Sequence, residues 1–147
     1  MGLNVTKISV TRFVIVAIAG GPLFGILDAL INANPLARDL FVVYEPIAKT
    51  SVNMVAGILI DLIYGFALAG LFMVLYRSLP GRDDLAKGLS FGVMIWFLRV
   101  LMSVLSTWMM FELPGSLLLY TLFAGLAEML VLGIFFALTL RPAQVSR

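Results

Sequence analysis

Asp28, Asp61, Arg99 and Glu128 each fall within a long apolar run, one ionisable residue to each run. A charge at the centre of a bilayer costs about 2.5–3.5 kcal/mol on insertion scales. A chain that carries four must pair them, hydrate them or use them. A buried guanidinium keeps its proton, so Arg99 can neutralise one carboxylate. Asp61 and Glu128 together then leave one negative charge over, and Asp28 makes it two. Either a carboxyl stays protonated or a cation completes the site. The chemistry on offer is the binding of a proton, a metal ion, an amine or a lipid headgroup.

The neighbours of these charges agree with that reading. Asp61 shares its helix face with Gly57, Tyr64 and Gly65; Arg99 with Gly92, Trp96, Ser103 and Ser106; Glu128 with Thr121, Ala124 and Gly125. Small and hydroxyl residues mark places where helices approach closely or water enters. The opposite faces read Leu, Val, Ile and Phe, as lipid requires. Counted from the outer end of each run, Asp61, Arg99 and Glu128 lie roughly 14–17 Å deep at 1.5 Å per residue. Antiparallel neighbours could bring them together at one level. Arg99 is expected within salt-bridge reach of Asp61 or Glu128, with Glu128 preferred. Asp28 is shallower, roughly 5 Å below its helix end, like a residue at a mouth. The candidate ligand- or ion-binding residues are therefore Asp28, Asp61, Tyr64, Trp96, Arg99, Ser103 and Glu128.

Other polar residues cluster in the same half: Asn53, Ser106, Thr107, Tyr120 and Thr121. The other half offers Phe66, Leu68, Phe72, Val93, Leu132, Phe135 and Phe136. The pattern predicts a polar cup open outward and sealed inward. A static channel would need polar lining on both sides.

Much chemistry is excluded. The chain has no cysteine and no histidine, which removes disulfides, thiolate nucleophiles, Cys/His zinc sites and the usual haem ligands. Met102, Met109 and Met110 form the closest methionine cluster and read as apolar filler. No HExxH, GxSxG, paired-aspartate peptidase motif or Asp-rich phosphate box occurs. An enzyme built on two carboxylates and an arginine is the least supported function, and no cofactor is implied.

The elements that must position these residues are membrane spans. Hydrophobic residues make up 62% of the chain and charged residues 12%, and the mean hydropathy is +1.10; a soluble domain is about half apolar and a quarter charged. Four runs, at about 13–31, 52–76, 85–110 and 117–140, are near or above the roughly 20 residues a helix needs to cross. With 147 residues this is one domain, an all-α integral membrane protein folded as an up-down antiparallel four-helix bundle. Asn34-Pro35, Glu45-Pro46, Pro80-Gly81 and Pro114-Gly115 punctuate the connections. Asp83 or Asp84 suits the N-cap of the third helix. Gly20-Gly21-Pro22 suits a kink in the first.

Lys7 and Arg12 precede the first run, and Ala17-Ile18-Ala19 resembles a leader cleavage site, but the run continues to Ile31, so an uncleaved span is expected. Met1-Gly2 with Thr6 fits the short myristoylation pattern, which is discounted here.

Basic residues set the orientation. Lys7, Arg12, Arg77, Arg82, Lys87, Arg141 and Arg147 fall on one side, and Arg38 and Lys49 on the other. The rule that inner loops are basic predicts a multi-pass protein of the cell (inner) membrane with both termini cytoplasmic. It also explains the net charge of +2 and the pI near 9.2 without a nucleic-acid partner. The expected partner is the lipid bilayer, with a homo-oligomer or larger membrane complex left open. Leu36, Leu40, Tyr44 and Ile47 recur at helical spacing in the first outer loop, as in a short interfacial helix or a lid.

The two halves are faintly alike. Phe24-Gly25 answers to Phe91-Gly92, and Gly57, Asp61, Gly65 and Arg77 to Gly125, Glu128, Gly133 and Arg141, as a parallel two-plus-two repeat would produce. Two functions stand against each other: binding or transport of a small cation, proton-linked solute or lipid headgroup, and a structural or accessory subunit whose charges set helix register or meet a partner helix.

Overall fold

The computed structural model describes residues 10–140 and is all-helical, with four helices long and apolar enough to span a membrane. Helix α1 is Val10–Ala33, α3 is Met54–Leu75 and α6 is Gly115–Thr139. The third span, Asp84–Met110, comprises α4 (Asp84–Trp96), a π turn (Phe97–Leu101) and α5 (Met102–Met110). Between the first two spans lie the short α2 (Pro35–Phe41) and a 3-10 turn (Val42–Ile47). Lys7, Arg141 and Arg147 of the charge argument, and the Met1-Gly2-Thr6 pattern, lie outside the described residues.

The helix starts follow from the punctuation. Asn34, Asn53 and Asp83 each accept a first-turn amide, from Ala37 N at 2.9 Å, Ala56 N at 3.1 Å and Ala86 N at 2.7 Å. Each satisfies an amide that a helix start leaves without a partner. Pro35 needs no amide partner in the first turn of α2. Helix α1 runs unbroken through Gly20-Gly21-Pro22.

The spans pack as two antiparallel hairpins, α1 with α3 and α4 with α6, and α1 against α6 joins them. In lipid the hydrophobic effect does not press helices together, so close packing must do so. Both hairpins achieve it with glycine. A Cβ on Gly21 would lie 2.9 Å from the Asp61 carbonyl oxygen and the Leu62 Cα, and Gly65 meets the backbone of Ala17 and Gly21. In the second hairpin a Cβ on Gly92 would lie 2.6 Å from the Met129 carbonyl oxygen, while Gly133 meets the backbone of Gly88 and Gly92. The hairpins are alike at these crossings, and Ala17 and Gly21 answer to Gly88 and Gly92. That register is one helical turn from the one in which Phe24-Gly25 matches Phe91-Gly92.

One end of the bundle is closed by aromatic rings. Phe72, Phe91 and Phe136 are essentially fully buried. The Phe72 centroid lies 5.1 Å from that of Phe91 and 6.4 Å from that of Phe136. Leu68 and Leu132 are buried with them. Phe66 and Val93, expected in this seal, face outward instead. Residue type alone cannot assign a helix face when lipid and core are equally apolar.

The connection beyond the seal is tied down. The Tyr76 hydroxyl donates to the Asp84 carboxylate, and Lys87 Nζ donates to the Tyr76 carbonyl at 3.0 Å while lying 4.1 Å from the Tyr76 ring centroid.

At the opposite end the first loop folds over the bundle. Asn34 Nδ2 donates to the Tyr120 hydroxyl at 2.6 Å, and that hydroxyl donates to the Ile31 carbonyl at 2.5 Å. Ala37 is fully buried, whereas Leu36 and Ile47 are exposed. The short helix expected in this loop is present as α2, with Leu40, Phe41 and Tyr44 half-buried and Leu36 and Ile47 facing outward.

Candidate ligand-binding cavity

A cavity of about 410 Å³ opens at the first-loop end, a volume in the range of small-molecule sites. All four spans and α2 supply its walls. Asp28 and Asn32 come from α1, Phe41 from α2, Tyr64 from α3, Arg99 and Val100 from the π turn, Ser103 and Val104 from α5, and Tyr120, Thr121, Ala124, Gly125 and Glu128 from α6.

Arg99 and Glu128 form an ion pair across it, Nη1 to Oε2 at 3.7 Å. The expected reach between Arg99 and Glu128 is therefore observed. The separation exceeds that of a charge-assisted hydrogen bond, about 2.7–2.9 Å. Glu128 is 5% exposed, and its second oxygen, Oε1, is buried with no hydrogen-bond partner. An orphan carboxylate oxygen in a dry interior is costly. The Arg99 side chain is 33% exposed, and its guanidinium lies 4.8 Å from the ring centroids of both Phe24 and Tyr64. Those rings stack at 4.9 Å and 19°. Guanidinium groups favour such ring faces. Arg99 thus touches α1, α3 and α6 together.

The π turn places it there. A π turn inserts one residue into a helix and re-aims the side chains that follow. On α6 Gly125 leaves room for the side chain of Val100 in this turn: a Cβ there would lie 2.8 Å from a Val100 methyl. The polar stripe read for the third span is not continuous. Ser103 reaches the cavity, whereas Ser106 is exposed and donates to the Met102 carbonyl at 2.9 Å.

Five of the seven candidates, Asp28, Tyr64, Arg99, Ser103 and Glu128, line the cavity. Asp61 and Trp96 do not. The Asp61 carboxylate lies against the bare backbone of Gly25, where a Cβ would be 3.2 Å from its Cγ, and makes no ion pair among the described residues. Depth counting assigned Asp61 a level but could not assign the side it faces. Asp28 therefore lines the same cavity as the Arg99–Glu128 pair, without a salt bridge to it. Trp96 Nε1 donates to the Leu122 carbonyl at 2.9 Å and pins α4 to α6.

Asn32 was missed, although it stands four residues beyond Asp28 on one face; its Nδ2 donates to Asp28 Oδ1 at 3.1 Å and to the Asp28 carbonyl at 2.8 Å. Phe24 and Phe41 carried no signal, since an aromatic in an apolar run reads as core.

Among the described residues no group of three or more carboxylates is placed to hold a metal ion. The walls instead offer two carboxylates, one guanidinium and aromatic faces. Comparison with protein-family models, curated proteins and solved structures gives no match for this chain.

Proposed function

We propose that this four-span membrane protein binds a small ammonium-bearing ligand in the cavity at its first-loop end. The observation that carries the reading is Glu128 Oε1, buried without a partner in the wall of a cavity that also holds Asp28. Arg99 balances one of the two carboxylates, so the walls carry a net negative charge. An ammonium group with its N–H donors supplies what Oε1 lacks, and the rings of Phe41 and Tyr120 in the cavity wall suit an organic cation. Movement of the ligand across the membrane would require parting Phe72, Phe91 and Phe136, and the proposal is therefore of binding first and transport second.

A structural reading has its own observation: the Arg99 guanidinium joins α1, α3 and α6 and would brace their register. Thermal denaturation in detergent tests the first reading directly. Ethanolamine should raise the melting temperature of the wild-type protein, and its neutral counterpart ethylene glycol should not. Glu128→Gln should abolish the difference. Equal responses to the two compounds would refute ammonium binding and leave the brace.

A further inference from the structure

Helix α3 packs along α1 and has no extended packing against α5 or α6. Near the aromatic seal, Phe72 bridges α3 to Phe91 and Phe136. Towards the first loop the link from α3 to the third span is Arg99 over Tyr64. Beyond that link Ser103 of α5 is exposed, although it lines the cavity. With Ser103 exposed and no extended packing between α3 and α5, the cavity has room to open sideways between those helices as well as towards the loop. A bundle-facing polar site with a lateral opening is accessible from the bilayer, and α3 and α5 flank it with exposed apolar side chains such as Ile60 and Leu105.

The walls also offer both signs of charge. Asp28 and the orphan Oε1 of Glu128 attract a cation. Arg99 is one-third exposed and held at 3.7 Å from Glu128, which leaves guanidinium N–H groups available to an anion. We infer that the ligand is an amphiphile with a zwitterionic headgroup: an ammonium held by Glu128 and Asp28, a phosphate held by Arg99 beside Ser103, and an apolar chain leaving between α3 and α5. This rests on the ammonium-binding reading and adds the anionic group and the chain.

The test compares four probes on the purified protein in detergent: ethanolamine, O-phosphoethanolamine, lysophosphatidylethanolamine, and lysophosphatidylglycerol, which keeps phosphate and chain but has no ammonium. Melting shifts and native mass spectrometry give apparent affinities. Lysophosphatidylethanolamine should bind at least about tenfold more tightly than either soluble probe, the equivalent of one lost contact of about 1.4 kcal/mol. Arg99→Lys, which keeps the charge but not the fork, should weaken lysophosphatidylethanolamine and O-phosphoethanolamine more than it weakens ethanolamine. Ser103→Phe, at an exposed position, should block it without unfolding the protein.

If ethanolamine binds as tightly as lysophosphatidylethanolamine, the amphiphile inference is overturned and ammonium binding stands. If lysophosphatidylglycerol binds equally well, the zwitterionic headgroup is overturned while ammonium binding stands on the ethanolamine response; if no probe responds to Glu128→Gln, both are overturned.

Discussion

Arg99 is the residue on which the two functional readings divide. Its guanidinium spans two rings and one buried carboxylate, so its removal leaves Glu128 buried without a counter-charge. Breaking a buried pair from one side costs about 3–5 kcal/mol. Because Arg99 is one-third exposed, Arg99→Ala should fall near the lower figure under either reading. Arg99→Met combined with Glu128→Leu is the discriminating change. It removes both charges and fills their volume, and such replacements are often neutral or stabilising. If the pair is a ligand site, the double variant should melt near the wild-type temperature and lose ethanolamine-dependent stabilisation. A double variant that still gains stability from ethanolamine would locate the ammonium elsewhere. The sequence contained the partners of this pair, because residue type and depth are written in it. It did not contain the orientation of Asp61, which depends on Gly25 leaving space on the neighbouring helix.

At the scale of elements, the glycine crossings hold the hairpins and the π turn places the site. Gly92 and Gly133 let α4 and α6 approach until backbone touches backbone. Gly92→Leu would insert a side chain where a Cβ alone meets the Met129 carbonyl oxygen at 2.6 Å, so the hairpin must open. Overpacking of this kind costs about 1–3 kcal/mol, and more where backbone must move. Gly57→Leu is the control, since nothing lies within 4 Å of a Cβ there. Melting temperatures in detergent should fall for the first and stay near wild type for the second; equal losses would refute the crossing as the source of hairpin stability.

Span number, the Asp83 cap and the close faces at Gly65 and Gly92 were legible beforehand, because length, an Asp before a helix and glycine spacing are local signals, whereas the Asn34 and Asn53 caps and the open space around Gly57 were not. Nor was the π turn at Phe97–Leu101. It contains neither proline nor glycine, and its Val100 packs against Gly125 of another helix. The outward position of Ser106 was equally hidden.

At the scale of the whole molecule, the cavity's use depends on the side of the membrane it faces. Arg12, Arg77, Arg82 and Lys87 lie towards the sealed end, and Arg38 and Lys49 lie in the first loop. Translocating a basic loop is disfavoured, so the first loop and the cavity mouth are expected outside the cell and the second loop inside. The chain has no cysteine, which permits single-cysteine labelling against a clean background. Ser51→Cys in the first loop and Ser78→Cys in the second both replace exposed residues. A membrane-impermeant maleimide should label the first in intact cells and the second only after permeabilisation. Ser103→Cys, in the cavity wall, should react from outside, and lysophosphatidylethanolamine should protect it if the headgroup occupies that wall. Labelling of the second loop alone in intact cells would reverse the orientation. The same polar cup would then face the cytoplasm, and its ligand would have to come from that compartment or from the inner leaflet.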